Sequence, residues 1–119
     1  MAPIERRIIK QLARDILASG RSITVSLERG YDAEDGALVA SRDLDAIVAE
    51  AMSGDEAHLF VHDAGVPPVA DGQLDCVGWV FVTLGNDEDV ICDYSTRLED
   101  LGLLAGAEAL ADAYQAAHS

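Results

Sequence analysis

The stretch from Cys76 to Tyr94, CVGWVFVTLGNDEDVICDY, constrains the fold more than any other part of the chain. Its first half alternates in the manner of a strand, and both alternating faces carry apolar side chains. Residues 85–89 are typical of a turn, and residues 90–94 return with the β-branched and aromatic character of a second strand. A strand that is apolar on both faces belongs inside a sheet, covered on both sides or lying near an interface. The pattern therefore predicts a central β-hairpin with an acidic tip.

The N-terminal region has the spacing of an amphipathic helix over residues 4–18. Large aliphatic side chains recur at every fourth position, at Ile4, Ile8, Leu12 and Ile16. A parallel basic stripe consists of Arg6, Lys10 and Arg14. This stripe is a solvated face, is matched to acids elsewhere in the fold, or is a partner-binding face.

Further strands are predicted over 22–29, 37–40 and 57–63 from their alternation and β-branched content. Before the last of these a second helix is expected, with Ser41 as its N-cap. Its buried face consists of Leu44, Ile47, Val48, Ala51 and Met52. The region 64–75 contains Pro and Gly turn signals and is interpreted as a surface loop.

The pattern of the C-terminal region predicts a helix that is interrupted. Thr96 and Glu99 have the spacing of a capping box. The apolar face of residues 103–114 is out of phase with the residues before it, so we expect an irregularity near Leu101 and Gly102. A longer helix then runs to about residue 117. Gly102 and Gly106 are expected to allow this helix to pack closely on the sheet.

These elements together predict a single α+β domain over residues 1–119. The expected order is α-β-β-α-β-β-β-α, with a five-stranded antiparallel sheet packed by helices.

Net charge is the strongest compositional signal, since 22 acidic and 8 basic residues give −14. Six of the basic residues fall within 1–29, which leaves two bases and nineteen acids in 30–119. Direct nucleic-acid binding is disfavoured, because it requires Lys and Arg to displace counterions from phosphates. An acidic field favours a basic partner and steers its association, or else only keeps a small protein soluble.

Cysteine use and hydropathy favour a cytoplasmic location. If the central hairpin pairs around Asp87, Cys92 lies opposite Val82 and not opposite Cys76, so two buried free thiols are expected instead of a disulfide. No apolar run approaches the roughly 18 residues that a membrane span needs. The first residues also lack the apolar core and cleavage site of a signal peptide.

The residue pattern favours a non-enzymatic protein that needs no metal and no cofactor. No phosphate-binding glycine loop, zinc-ligand spacing or nucleophile–base pair is selected by the sequence. His58 and His62 lie roughly 13 Å apart in an extended strand, too far to share one metal ion. The enzyme alternative is a small metal-dependent enzyme that uses the carboxylates at Asp87, Glu88, Asp89 and Asp93.

Carboxylates on a rigid domain can imitate the closely spaced charges of DNA. The candidate partner-binding residues are Asp32, Glu34 and Asp35 in the first turn, Asp55 and Glu56 after the second helix, Asp87, Glu88 and Asp89 at the hairpin tip, and Glu99 and Asp100 beyond it. For each acid the alternative is a solvated loop residue.

The C-terminal half, VGWVFVTLGNDEDVICDYSTRLEDL followed by LLAGAEALADAY, resembles a family of small, acidic, mostly uncharacterised proteins of bacteriophages, prophages and mobile elements. The matching residues are Val77-Gly78-Trp79, Gly85-Asn86-Asp87, Asp89-Val90-Ile91 and Asp93-Tyr94. An amphipathic N-terminal helix followed by a strand like ITVSL is also shared, whereas the loop over 65–75 is longer than expected. The resemblance implies a mobile-element origin and carries no catalytic residues.

Small acidic phage proteins often serve counter-defence, as anti-CRISPR and antirestriction proteins do. The leading hypothesis is therefore an inhibitor that blocks a host nucleic-acid-handling complex through its acidic surface, with nucleic-acid mimicry as its mechanism. An immunity protein or antitoxin that neutralises a basic toxin requires the same electrostatics and is the alternative. A homodimer that buries Trp79 is also compatible with the sequence.

Overall fold

The computed structural model describes residues 3–27, 38–63, 76–85 and 87–118. Its helices are α1 (Pro3–Ala18), α2 (Leu44–Ala51), α3 (Thr96–Asp100) and α4 (Ala105–His118). Its strands are β1 (Ser22–Ser26), β2 (Leu38–Ser41), β3 (Glu56–His62), β4 (Cys76–Thr83) and β5 (Ile91–Tyr94). The predicted α+β class, with an antiparallel sheet packed by helices, is confirmed.

The order of elements along the chain is α-β-β-α-β-β-β-α-α, which differs from the predicted order. The C-terminal helical region is divided into α3 and α4 by turns over residues 101–104. Gly102 has φ +74°, a left-handed value that glycine adopts without strain and that ends a helix. The irregularity expected near Leu101 and Gly102 is therefore present, and it separates two helices.

The strands form one sheet in the order β2-β1-β3-β4-β5, with antiparallel pairing throughout. Leu59 of β3 lies between Val25 of β1 and Val80 of β4. Sequence neighbours pair in the β1–β2, β3–β4 and β4–β5 connections, and β3 returns to pair with β1. The sheet thus consists of the β1–β2 pair and the β3–β4–β5 meander, joined through the β1–β3 pair.

The β4–β5 hairpin has the predicted position but a shifted register. Pairing slips by one residue between Phe81 and Val82, so that Ile91, and not Cys92, lies opposite Val82. Cys92 is consequently an exposed free thiol, and the expectation that it is buried was wrong.

One face of the sheet and the amphipathic helices share the hydrophobic core. The buried strand residues on this face are Ile23, Val25, Ala57, Leu59, Val61, Val80 and Val82. Helix α1 contributes Ile4, Ile8, Ile9, Leu12, Ala13 and Ile16, all buried, and packs against α2, α4 and β1. Burial of each large aliphatic side chain contributes roughly 1.5–3 kcal/mol, and α1 supplies more buried apolar side chains to the core than any other described helix.

The opposite face of β3 and β4 carries aromatic and polar side chains. The ring of His58 stacks on Phe81 with centroids 4.5 Å apart, and on Phe60 at 6.0 Å. His62 is buried, and its Nε2 lies 2.7 Å from Oγ1 of Thr24 across the β1–β3 pair. Both histidines therefore have structural contacts.

Two predicted helix caps were wrong. Ser41 ends β2, and Asp43 is the N-cap of α2, where its Oδ1 accepts a hydrogen bond from Ala46 N at 3.3 Å. Ser95 precedes α3, so Thr96 lies inside the helix and does not form a capping box. The Ser95 hydroxyl instead accepts from the backbone N–H of Trp79, which ties α3 to β4.

Gly106 allows close packing, although against α1 and not against the sheet. A Cβ at this position would come 3.2 Å from Cγ of Gln11 and closer still to the Asp15 carboxylate.

Within the described residues, no helix combines the length and the apolar character needed to cross a bilayer. Predicted features at residues 28–37 and 64–75 lie outside the described part of the chain.

Candidate functional site: an acidic groove between α4 and the β4–β5 turn

The turn between β4 and β5 is anchored at both of its ends. Thr83 N donates to Val90 O over 2.8 Å, and the Val90 side chain is buried. Leu84 N donates to Asp55 O over 2.8 Å, which ties the turn to the start of β3. Asp87 has φ +54°, a left-handed value that aspartate tolerates better than most residues. The acidic tip is therefore held by the ends of two strands.

A groove of about 200 Å³ lies between this turn, β5 and α4. The acidic groove is lined by Ile8, Glu88, Asp89, Ile91, Tyr94, Ala107, Glu108, Ala111 and Asp112. Glu108 and Asp112 lie on one face of α4, because residues four apart on a helix are neighbours. Four carboxylates from two separate elements therefore line one depression.

The remaining lining of the acidic groove is largely apolar. Ile8 of α1 and Ala107 of α4 are buried, and Ile91 and Ala111 are partly buried against the core. Such a surface favours an apolar group, while the carboxylates favour a positive charge. The combination suits an elongated organic cation.

Tyr94 places a phenol at the edge of this surface. The Glu99 carboxylate raises the pKa of Tyr94 most, followed by partial burial of the ring and by the charge of Glu108. A hydrogen bond to Glu99 and the charge of Asp93 act in the same direction, because each disfavours a phenolate. Tyr94 is therefore a neutral hydroxyl, and Glu99 lies close enough to extend the negative charge beyond the groove.

The predicted partner-binding residues are placed unequally. Glu88 and Asp89 line the acidic groove, and Glu99 lies beside Tyr94. Asp55 and Glu56 lie at the same end of the sheet as the turn, since Glu56 pairs with Thr83 and Asp55 O bonds Leu84 N.

The other predicted acids lie apart from the groove lining. Asp87 and Asp100 are exposed, the former at the tip of the turn and the latter at the end of α3. Asp32, Glu34 and Asp35 lie outside the described residues.

Sequence reasoning did not select Glu108, Asp112 or Tyr94. The signal was present, because the two acids flank the predicted apolar face of α4 at a spacing of four residues. What the sequence did not reveal is that this edge of α4 faces the β4–β5 turn, more than fifteen residues earlier in the chain.

The acids of the groove lie along a surface and do not surround one point. Among the described residues, no three His, Cys, Asp or Glu side chains form a group that could hold a metal ion. The groove is thus described by its extended negative rim and not by a coordination geometry.

The basic stripe of α1 is mostly exposed. Arg6, Arg7 and Arg14 are exposed and Lys10 is partly buried. In the described part of the chain the ion pair found is Arg21 with Asp63, at 3.4 Å, and no acid there pairs with the stripe. Within the described residues, the stripe therefore has no acidic partner.

Comparison of the chain with protein-family models, with curated proteins and with solved structures found no match. The resemblance to mobile-element proteins therefore stays a prediction from the residues quoted above.

Proposed function

We propose that this protein is a non-enzymatic interaction protein whose acidic groove binds a lysine or arginine side chain of a basic partner protein. The observation that carries the proposal is the groove itself, in which Glu88, Asp89, Glu108 and Asp112 flank an apolar surface. A volume of about 200 Å³ is below that of most small-molecule pockets and suits one or two side chains.

Lysine and arginine match both properties of this surface. Their aliphatic stems pack on apolar side chains while the charged head reaches carboxylates. The Ile8 and Ala111 side chains would receive the stem, and the rim carboxylates would receive the head. Arginine gains more, because its planar fork bonds two carboxylate oxygens and stacks on an aromatic ring such as that of Tyr94.

The partner class follows from the charge of the whole chain. A net charge of −14 attracts basic proteins and repels nucleic acid. The protein would therefore bind the surface of its partner that otherwise binds phosphates. Together with the family resemblance, this favours a cytoplasmic counter-defence inhibitor of a host nucleic-acid-handling complex, of the anti-CRISPR or antirestriction kind.

A peptide titration tests the groove while the partner is still unidentified. Hexa-arginine, hexa-lysine and neutral hexa-citrulline peptides are titrated into the ¹⁵N-labelled protein while amide shifts are followed. We expect saturable binding in the order arginine, lysine, citrulline, with shifts centred on Asp89, Ile91 and Ala111. The variant Glu108→Gln/Asp112→Asn should bind hexa-arginine about tenfold more weakly, equal to about 1.4 kcal/mol.

The matched control is Asp45→Asn/Asp100→Asn, which changes net charge equally at exposed positions outside the groove lining. An equal loss in the control would show that net charge alone drives binding and would overturn the site. Capture from a bacterial lysate then addresses the partner class. Recovery of a basic toxin, instead of a nucleic-acid-handling complex, would select the antitoxin alternative.

A further inference from the structure

We infer that Glu5 is a positioning residue for the acidic groove: its buried carboxylate fixes the β4–β5 turn on helix α1. The inference rests on the function proposed for the groove. It concerns a residue in the first turn of α1 that is not itself part of the groove lining.

The contact joins two distant parts of the chain. Oε2 of Glu5 accepts a hydrogen bond from the backbone N–H of Gly85 over 2.5 Å, across 80 residues of sequence. Glu5 is only 1 % exposed, on a helix whose other buried side chains are aliphatic. A buried carboxyl group is costly unless it is hydrogen-bonded, and the Gly85 bond offsets part of that cost.

Gly85 lies at the start of the turn that carries Glu88 and Asp89, so a contact at Gly85 limits where these two carboxylates can lie. It has φ +102°, is exposed, and precedes Glu88 and Asp89 by three and four residues. An Asn, an Asp and further polar residues follow it, so the turn offers few apolar side chains to hold it against the helices. The bond from Glu5 supplies a directional anchor there.

Helix α1 therefore orients both rims of the groove. Ile8, one turn after Glu5, lies in the groove floor, and Gln11 and Asp15 receive α4 at Gly106. Through Glu5 the same helix holds the turn that carries the opposing carboxylates. Loss of the bond would leave the turn held at its base by the Thr83–Val90 and Leu84–Asp55 bonds. Glu88 and Asp89, farther along the turn, would then shift relative to Glu108 and Asp112.

A purely structural role for Glu5 makes a different prediction from a positioning role. If Glu5 only contributes to stability, its removal lowers the free energy of unfolding, and binding by the remaining folded molecules is unchanged. If it positions the turn, binding falls even in fully folded protein. Neighbouring Ile4, buried in the same turn of α1, provides a matched control for stability alone.

The experiment compares Glu5→Gln, Glu5→Asp, Glu5→Leu and Ile4→Ala, using the hexa-arginine peptide at a temperature where every variant is folded by circular dichroism. Glu5→Gln keeps an acceptor oxygen at the same reach and should bind within about twofold of the parent protein. Glu5→Asp is one methylene shorter and Glu5→Leu has no acceptor. Both should lose about tenfold in affinity, whereas Ile4→Ala should lose less than about twofold.

The Gly85 amide proton gives a readout that does not depend on the peptide. It should resonate downfield in the parent protein and in Glu5→Gln, and move upfield in Glu5→Asp and Glu5→Leu. The Glu88 and Asp89 amides should also shift and show increased motion in ¹⁵N relaxation in the same two variants only. Unchanged Glu88 and Asp89 signals in those variants, or equal losses of affinity in Ile4→Ala, would overturn the inference.

The two proposals fail in distinguishable ways. If Glu108→Gln/Asp112→Asn loses affinity and Glu5→Leu does not, the groove is the site and the positioning role is wrong. If the parent protein does not bind the peptide, the proposed function is wrong, and the Gly85 and Asp89 signals still decide whether Glu5 holds the turn.

Discussion

Gly78 of β4 lies against the short helix α3, and the space between them is too small for any side chain. A Cβ at Gly78 would lie 2.9 Å from Cγ of Leu98 and closer still to Oγ of Ser95. Because Leu98 is fully buried, it cannot move aside freely. We expect Gly78→Ala to destabilise the protein by about 1–3 kcal/mol in urea unfolding.

Gly54 is the control for the Gly78 prediction. An added Cβ there would lie 3.8 Å from Glu56 O and 3.9 Å from Cδ2 of Leu27, which are ordinary contacts. Gly54→Ala should therefore change the free energy of unfolding by less than about 1 kcal/mol in either direction. Equal effects at the two glycines would contradict the packing seen at α3.

His62 links stability to pH. Burial lowers the pKa of His62 below its ordinary value of 6.5. The unfolded chain therefore takes up a proton near pH 6.5 while the folded protein does not, so stability is greatest above this pH and declines as the pH falls below it. Asp63 follows His62 in sequence, and Arg21 precedes Ser22, the β1 residue that pairs with His62. Asp63 and Arg21 form an ion pair with each other.

The pH prediction is tested with His62→Gln, whose amide can still bond Thr24. Free energies of unfolding are measured for both proteins between pH 7.5 and 5. The difference between parent and variant should shrink as the pH falls, since only the parent loses this contribution. A difference that stays constant across the range would refute it.

At the scale of single residues, the sequence indicated which kinds of residue cap a helix or carry charge, but not which groups they bond in the fold. Serine and aspartate both favour an N-cap, and the choice between Ser41 and Asp43 depends on where β2 ends, which is set by its pairing with Ile23. Glu5 looked like an ordinary first-turn acid, because its partner lies 80 residues away. Long-range contacts of this kind leave no local pattern.

Helix α2 offers a test at the scale of an element, because it is short and depends on its cap. Asp43 accepts a hydrogen bond from Ala46 N, and Asp45 adds negative charge in the first turn. Asp43→Ala should cost about 0.5–2 kcal/mol of unfolding free energy. Ser41→Ala should cost less, because the Ser41 hydroxyl accepts only from the backbone of Asp43. A larger effect at Ser41 would show that Ser41 is the N-cap, as the sequence predicted.

Periodic elements were predicted best. The recurrence of aliphatic residues at every fourth position predicted α1 nearly to its observed ends. The alternation of side chains predicted β1, β3 and β4. The break at Gly102 was predictable because the apolar phase changes there. The register slip in β5 and the packing of Gly106 on α1 were not, because both depend on surfaces brought together only by the tertiary fold.

At the scale of the whole molecule, net charge was readable from the sequence and its arrangement was not. The fold joins acids of the β4–β5 turn to acids of α4, and leaves the basic stripe of α1 mostly exposed. Like charges gathered in this way repel each other, which costs folding free energy. A surface that lowers stability is better explained by binding than by folding, which supports the proposed role of the groove.

We expect removal of the groove carboxylates to have opposite effects on stability and on binding. Glu108 and Asp112 are like charges four residues apart on α4, a spacing that costs about 0.2–0.5 kcal/mol. Glu108→Gln/Asp112→Asn should therefore unfold at higher urea concentration than the control Asp45→Asn/Asp100→Asn in low salt, while binding hexa-arginine more weakly than the control does. The control is matched for the helix dipole, because Glu108 and Asp45 each lie in the first turn of a helix. Added salt, which screens exposed charges, should shrink the stability difference between the two variants. A groove variant that is less stable than the control would show that these carboxylates support the fold.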